Sequence, residues 1–264
     1  MLLNELVALW RARLLVWVLT RREIAARTAG TAGGILWVYV QPLLTIAAYY
    51  LVFDVVFSMR LAENAPTRAV GAYLIVGSLP WMAFCDSVAR AMASLIDAGS
   101  VLQKNALPPV LFPARAVMAS TVIFLPLIAL VALVYTPCHS FGLPIVALVP
   151  LLCLQLLISF ALGYLFAILA AALRDTVLLV GFLLSIGIYV SPVFFPITMF
   201  PEDWRWVLWI NPMTELVMGY QAVLLQGRWP EPSVWLVSGV WLGLASAVLA
   251  VVVKRSRDQL VDWL

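Results

Sequence analysis

Six apolar runs, each long enough to cross a bilayer, constrain the fold of this chain more than any other feature of its sequence. They occupy residues 34–57, 70–96, 110–135, 143–172, 176–197 and 233–253. About twenty apolar residues in a helix span the hydrocarbon core of a membrane. Because lipid offers no partner for unpaired backbone groups, each run is predicted to be helical. The sequence therefore predicts an all-α polytopic membrane protein with six transmembrane helices.

The composition excludes a soluble domain. Hydrophobic residues make up 64% of the chain and charged residues 11%, whereas soluble domains are about half apolar and a quarter charged. The first arginines follow an apolar stretch instead of leading it, so no cleavable signal peptide is expected. The basic residues flank the apolar runs and form no stripe with interleaved aromatic residues, so no nucleic acid partner is expected.

Lysine and arginine are distributed unevenly between the two sides of the six-span arrangement. One side receives only Arg60, Arg68, Arg205 and Arg228, and the other side receives all remaining basic residues. The side that is richer in these residues is normally cytoplasmic. Since an even number of spans returns the chain to its starting side, both termini of this multi-pass chain are predicted to be cytoplasmic.

The N-terminal segment has the pattern of a helix that lies on the membrane surface. Its apolar residues at helical spacing share one face, on which Arg21 intrudes. They are Leu3, Leu6, Val7, Trp10, Leu14, Trp17 and Ile24. Gly30, Gly33 and Gly34 then provide a bend into the first span. We predict an amphipathic interface helix in residues 1–33 and a transmembrane domain in residues 34–264.

The segment between spans 5 and 6, residues 199–232, is too polar for a simple span and too apolar for an ordinary loop. It holds four tryptophans, which prefer the headgroup level of a membrane. Asn211 precedes Pro212, and a residue before proline resists the α conformation. We predict a re-entrant hairpin of two short helices broken at this point. The alternative is a segment that floats on the membrane surface.

Ionisable residues within the spans are few. Asp86 and Arg90 lie four residues apart on one helical face, so they are expected to neutralise each other. No series of carboxylates runs through the spans, which argues against an ion-coupled carrier. The three cysteines have no CxxC spacing and His139 is the only histidine, so neither a disulfide framework nor a metal site is expected.

Catalytic motifs are absent from the sequence. There is no G-x-x-x-x-G-K-[ST] phosphate loop and no G-x-S-x-G. No catalytic residue and no cofactor are therefore predicted in this chain. If ATP drives transport, another chain must bind the nucleotide.

Two groups of residues are candidates for function. Aromatic and amide side chains of spans 1 and 2 predict a substrate path for a sugar chain, because aromatic rings stack on the C–H faces of sugars. They are Trp37, Tyr39, Gln41, Tyr49, Phe53, Trp81 and Phe84; helix packing is the alternative for each aromatic ring. The loop of residues 97–109 is a candidate for contact with a partner protein, and a solvated turn is the alternative.

Several motifs in order resemble one family of transporters. They are LTRREIAARTAGTAGGILWVYVQPLL (residues 19–44), GSLPWMAFCDSVARA (77–91), LQKNALPPVLFP (102–113), ALRDT (172–176), SPVFFP (191–196) and WINPM (209–213). In this order they resemble the membrane subunits of type-2 ABC exporters, specifically the export permeases of O-antigen, teichoic acid and capsule. One departure is TAGTAGG, where many relatives have Ser-x-Leu-Gly before the tryptophan.

The resemblance implies a homodimeric channel of the bacterial inner membrane with one ATPase chain per protomer. ATP and Mg²⁺ would bind to that cognate ATPase, and the cargo would be a lipid-linked polysaccharide moved from cytoplasm to periplasm. The hairpin of residues 199–232 would be periplasmic. A capsule system would add a periplasmic polysaccharide co-polymerase and an outer-membrane export protein.

The resemblance also implies a surface that transmits the motion of the ATPase. We call this surface, formed by the interface helix and the loop between spans 2 and 3, the coupling surface. It comprises Arg21, Arg22, Glu23, Arg27, Gln103, Lys104 and Asn105.

Three other functions remain open at this point. A drug or lipid exporter of the same superfamily would have a compact apolar cavity. An ion-coupled carrier would transport its substrate without ATP hydrolysis. A membrane scaffold would transport nothing, and its deletion would leave surface polysaccharide intact.

Overall fold

The computed structural model describes residues 2–58, 60–61, 67–105, 107–257 and 259–263. Within these ranges the chain is helical, and its only β-type pairing is a single bridge between Arg60 and Ala69. The α-helices are α1 (Leu2–Arg11), α2 (Arg13–Ala26), α3 (Leu36–Tyr49), α4 (Val70–Asp97), α5 (Gly99–Lys104), α6 (Leu111–Val134), α7 (Thr136–His139), α8 (Leu148–Ala172), α9 (Asp175–Gly187), α10 (Thr214–Gln226), α11 (Pro232–Ser256) and α12 (Leu260–Trp263).

Five helical stretches are long and apolar enough to cross a membrane. They are Leu36–Val56, Val70–Asp97, Leu111–Val134, Leu143–Ala172 and Pro232–Ser256. The first continues α3 through a π-helical stretch, Tyr50–Val56, and the fourth begins with a 3₁₀ turn, Leu143–Ala147, before α8. These correspond to predicted spans 1, 2, 3, 4 and 6, so a polytopic all-helical chain is confirmed within the described ranges.

The predicted helix at residues 176–197 is shorter than the sequence suggested. Helix α9 has 13 residues, and a three-residue 3₁₀ turn, Ile188–Val190, follows it. Ser191 is extended, with φ −146° and ψ 155°, because it precedes Pro192 and a residue before proline avoids the α region. The prediction of a continuous helix through residue 197 is therefore wrong.

Helix α4 is the centre of the bundle. It packs against α6, α8 and α10, and its buried residues include Tyr73, Leu79 and Val88. Pro80 lies inside this helix, and Gln155 of α8 donates an amide hydrogen bond to its carbonyl at 2.9 Å. Tyr220 of α10 donates to the Oε1 atom of Gln155 at 2.8 Å. This buried polar chain joins three helices at the level of the proline.

The segment after α9 has the predicted helix–break–helix pattern. A 3₁₀ helix, Glu202–Ile210, precedes an extended Asn211, and α10 follows. Asn211 donates from Nδ2 to the carbonyl of Gly187 at 2.8 Å, and Met213 N donates to its Oδ1 at 3.0 Å. Residues at helical spacing after the break predict one apolar face for the second helix, and all of them are buried in the bundle: Met213, Leu216, Val217, Tyr220 and Leu224.

The N-terminal segment forms two helices where one was expected. Helices α1 and α2 meet at Ala12, but Ala12 N donates to Ala8 O and Val16 N to Ala12 O, both at 2.9 Å. The junction is thus a bend within a nearly continuous helix. After α2 the chain turns, with Gly30 at φ +78° and Gly34 at φ +52°, a left-handed conformation that glycine adopts at little cost.

Candidate functional site

An ion network joins the end of the interface helix to two spans. Arg27, just after α2, donates from Nη1 to Oδ2 of Asp86 at 2.9 Å and from Nη2 to Ser120 Oγ at 3.0 Å. Ser120 on α6 donates to the same carboxylate oxygen at 2.5 Å. Arg90 donates from Nε to Oδ1 of Asp86 at 2.8 Å, which confirms the predicted Asp86–Arg90 pair. We call these four residues the arginine junction.

Arg27 is the buried member of this junction. Its side chain is 4% exposed, whereas that of Arg90 is 44% exposed. Burial lowers the pKa of Arg27, and the charge of Asp86 opposes that effect. Two guanidinium groups share one carboxylate, so the junction carries a surplus positive charge, and Arg90 is the more exposed of the two arginines.

A second ion pair fastens α2 to the same part of the bundle. Arg115 of α6 lies 3.7 Å from Glu23, measured from Nε to Oε2, and α2 packs along α6. Thr20, one turn before Glu23, is completely buried. Glu23 and Arg27 were placed in the coupling surface by resemblance, and the structure directs both side chains toward the chain's own spans.

The arginine junction lines a cavity of about 530 Å³ beside the first span, which we call the inner cleft. Its walls come from the turn after α2, from α3, from α4 and from Phe124 of α6. Trp37 and Gln41 line it together with Arg27, Asp86 and Arg90. The structure therefore brings two residues of the predicted substrate path to the residue that ends the interface helix.

The indole ring of Trp37 lies directly against Gly33, which has no side chain in the way. A Cβ atom at Gly33 would lie 2.6 Å from Nε1 of Trp37, which is closer than packed atoms approach. The indole is more than half exposed, so it is available to a ligand of the inner cleft. In the segment TAGTAGG, which differs from the Ser-x-Leu-Gly of many relatives, Gly33 thus leaves room for the tryptophan ring.

The remaining predicted coupling residues are exposed. Arg21 and Arg22 lie on the outer side of α2, and Gln103, Lys104 and Asn105 lie at the end of α5. Asn105 donates from Nδ2 to the carbonyl of Val101 at 3.1 Å. These five side chains are accessible to a partner.

A single apolar cluster supports the surface elements that carry these residues. Leu102 of α5 and Leu260 of α12 are buried in it, and Leu9 and Val16 of the first two helices pack against it. The cluster also contains residues of α8 and α11. The interface helix, α5 and the C-terminal helix α12 therefore pack on one apolar cluster together with α8 and α11.

Tyr49 and Phe53 of the predicted path belong to an aromatic group at the far end of span 1. Their ring centroids are 6.4 Å apart, and Tyr49 meets Phe194 edge-on at 6.1 Å. Phe194 stacks on Tyr189 at 5.3 Å. Sequence reasoning did not include Phe194 or Tyr189 among the site residues, although SPVFFP, quoted for its resemblance, contains Phe194.

Trp81 and Phe84 are buried, with 5% and 3% exposure. Their rings lie 5.8 Å apart where α4 meets α9, and Trp81 approaches Gly187 so closely that a Cβ atom there would lie 2.6 Å away. Tyr39 is half-buried against the main core. These three residues do not line the inner cleft, and their contact with cargo stays a prediction.

The turn of residues 191–196 is held by two side chains from different helices. The Tyr73 hydroxyl lies 2.8 Å from Pro192 O and 3.1 Å from Phe195 O, and these two carbonyls share its one hydrogen. Gln221 of α10 also donates to Pro192 O, at 2.9 Å. This turn places Phe194 against Tyr49, so α4 and α10 position the aromatic group.

Comparison with known proteins finds similar sequences over most of the chain. The family model of the ABC-2 type transporter matches residues 14–225. The O-antigen export system permease protein RfbA of Myxococcus xanthus is 31% identical over 252 residues, which cover 91% of this chain and 93% of that protein. A protein of the same name from Klebsiella pneumoniae is 26% identical over 220 residues, 81% of each chain.

Proposed function

Since this chain belongs to the ABC-2 type transporter family, as a permease for polysaccharide export, we propose that it moves a lipid-linked polysaccharide from the cytoplasm to the periplasm. The cargo is an O-antigen or a capsular polysaccharide. The observation that carries the proposal is the inner cleft, where Trp37 and Gln41 lie beside the arginine junction. An aromatic ring and an amide suit a sugar, and the surplus positive charge suits an anionic group on the cargo.

The chain works with a separate ATPase, which binds ATP and Mg²⁺. The exposed residues Arg21, Arg22, Gln103, Lys104 and Asn105 form the contact with it. Glu23 and Arg27 act one step further inward, because their ion pairs link α2 to α6 and α4. Motion of the interface helix, residues 1–33, then changes the width of the inner cleft.

In the membrane, the chain crosses six times with both termini in the cytoplasm. The helical stretch Asp175–Val190 has sixteen residues and forms most of the fifth crossing. The turn of residues 191–196, which Tyr73 and Gln221 hold, completes it. The 3₁₀ helix Glu202–Ile210 and α10 form the periplasmic hairpin, which re-enters the outer leaflet of the inner membrane. The 34–264 domain is thus a six-span bundle.

The functional unit is a homodimer with two ATPase chains. Helices α3 and α9 are mostly exposed and apolar, and a second copy on these faces would enclose a path lined by the first span of each protomer. In a capsule system, a periplasmic co-polymerase and an outer-membrane export protein would extend this path.

The geometry disfavours an ion-coupled carrier. Asp86, the carboxylate in the middle of the second span, is held by Arg27, Arg90 and Ser120. A carboxylate that carries protons must lose its counter-ions during each cycle, and this one has two within 3 Å.

Co-purification tests the proposed assembly. The tagged permease is expected to retain the ATPase encoded beside it in a complex of two copies of each chain. Failure of that ATPase to bind would contradict the proposal. A deletion strain tests the cargo, since it is expected to lose surface polysaccharide and to recover it with this gene.

A further inference from the structure

A second cavity, separate from the inner cleft, lies between α4, α8, α9 and α11. It has a volume of about 390 Å³ and shares no lining residue with the inner cleft. Its floor is made of the buried side chains of Trp81, Phe84 and Val180. Its mouth is formed by exposed Leu183 and its neighbours Ile186 and Ile210. The cavity thus opens sideways, on an apolar surface of the bundle.

The polar groups in its wall are occupied elsewhere. Asn211 donates to the carbonyls of Gly187 and Val190, at 2.8 and 3.3 Å, and its Oδ1 accepts from Met213 N. Trp241 donates its indole N–H to the carbonyl of Trp209 at 3.1 Å. An apolar cavity without free polar partners does not hold ordered water but takes an apolar ligand. A sugar or a bound ion has no partner here.

The position of the cavity along the bundle indicates which apolar group fills it. Ile210, at its mouth, is the last residue of the 3₁₀ helix Glu202–Ile210, in which Trp204 and Trp206 are more than half exposed. Tryptophan side chains prefer the headgroup level, and Arg205 lies between them in sequence. A lipid whose headgroup is at that level extends its chain along the cavity.

The size of the cavity excludes a helix from a second copy of the chain. A helix with its side chains is about 10–12 Å in diameter, whereas Trp81 and Phe84 are only 5% and 3% exposed, so a helix laid against the mouth does not reach the floor. A hydrocarbon chain is narrow enough. We propose that this cavity binds one acyl chain of a membrane phospholipid, with the headgroup beside Trp204 and Trp206.

Photolabelling of the permease–ATPase complex in proteoliposomes tests this site. The probe is phosphatidylglycerol with a diazirine on one acyl chain, and labelled residues are mapped by mass spectrometry. Labelling is expected on Trp81 and Phe84, which bulk lipid does not reach. Leu184→Trp, which fills the cavity, is expected to reduce this labelling at least fivefold. Leu236→Trp, at an exposed position of α11 outside the cavity lining, is expected to leave it unchanged.

Three results would overturn the proposal. The first is equal labelling of Trp81 in the wild type and in Leu184→Trp. The second is labelling confined to the exposed residues of α9 and α11. The third is labelling of the floor by a diazirine-bearing polyprenyl phosphate but not by phosphatidylglycerol, which would assign the cavity to the cargo's anchor. If Leu184→Trp does not fold, Val180→Phe provides the same comparison.

Discussion

Arg27 and Asp86, separated by 59 positions in the chain, form an ion pair of 2.9 Å between the end of the interface helix and the middle of the second span. Ser120 of α6 closes the group by bonding to both partners. Three elements of the fold therefore meet at one carboxylate. This carboxylate also lines the inner cleft, so the contact that anchors the end of α2 is part of the cleft wall.

The arginine junction is expected to contribute to stability mainly by keeping Arg27 paired. Asp86→Asn leaves a nearly buried guanidinium without its counter-ion, and such a change costs about 3–5 kcal/mol. Thermal unfolding of the purified protein measures this. The double variant Arg27→Met/Asp86→Leu is expected to recover most of the loss, whereas Arg90→Met, at a half-exposed position, costs about 1 kcal/mol or less. If the stability lost in Arg27→Met/Asp86→Leu equalled the sum of the losses in its two single variants, the pairing of Arg27 with Asp86 would be contradicted.

The exposed coupling residues are expected to act on the ATPase and not on folding. Arg22→Glu and Lys104→Glu reverse exposed charges, so each is expected to weaken ATPase binding roughly tenfold, equivalent to about 1.4 kcal/mol, and to lower cargo-stimulated hydrolysis while membrane insertion stays normal. Arg228→Glu, an exposed charge at the hairpin end, is the matched control. Normal export by both variants would remove these residues from the coupling surface.

Gly33 is expected to control the position of Trp37. Gly33→Ala would place a Cβ atom 2.6 Å from the indole nitrogen, so the ring must move away from the turn, and such overpacking costs about 1–3 kcal/mol. Polysaccharide export is expected to fall while the protein still reaches the membrane. Gly239→Ala in α11 is the control, since a Cβ atom there would meet no other part of the described structure within 4 Å beyond its chain neighbours and its own helix backbone. Equal export by both variants would show that the ring position is unimportant.

Glu215 is expected to make stability depend on pH. Burial raises the pKa of this carboxyl from 4.5 to about 7, against the smaller opposing effect of a hydrogen bond from Ser233. The folded state therefore holds a proton on Glu215 that the unfolded state releases. The contribution of this proton to the free energy of unfolding is fully present below pH 4.5 and is lost as the pH rises through about 7. Glu215→Gln is expected to raise Tm at pH 8 by roughly 2–4 °C and to change it little at pH 5.

The control for this measurement is Glu202→Gln, since the side chain of Glu202 is 85% exposed. Its Tm is expected to follow that of the wild type at both pH values. A Glu215→Gln variant that is equally destabilised at pH 5 and pH 8 would contradict a protonated carboxyl in the folded protein.

Local patterns in the sequence predict the parts of the fold that depend on neighbouring residues. The Asp86–Arg90 pair follows from a spacing of four on a helix, and the break at Asn211 follows from the proline after it. The apolar face of α10 follows from helical periodicity, and five of the spans follow from their length and hydrophobicity. The apolar run continues past Pro192, so its length alone predicts a longer helix than α9, which ends at Gly187.

Contacts between distant segments could not be derived from one sequence. Nothing near Arg27 indicates that it is buried against Asp86, because an arginine at the end of a surface helix usually faces solvent or headgroups. Similarly, Trp81 and Phe84 have the composition of a sugar-binding surface, but only the packing of α9 on α4 shows that they are buried. Residue type indicates which chemistry a side chain can provide, and tertiary packing decides which side chains lie together.

In the mechanism that we propose, ATP hydrolysis on a partner chain drives a lipid-linked polysaccharide past the inner cleft. The most direct measurement is delivery of that cargo across proteoliposome membranes that contain the permease with its ATPase. We predict ATP-dependent delivery that Asp86→Asn reduces at least tenfold, while the complex with the ATPase stays intact. Delivery that continues without ATP and follows an imposed proton gradient would contradict the account.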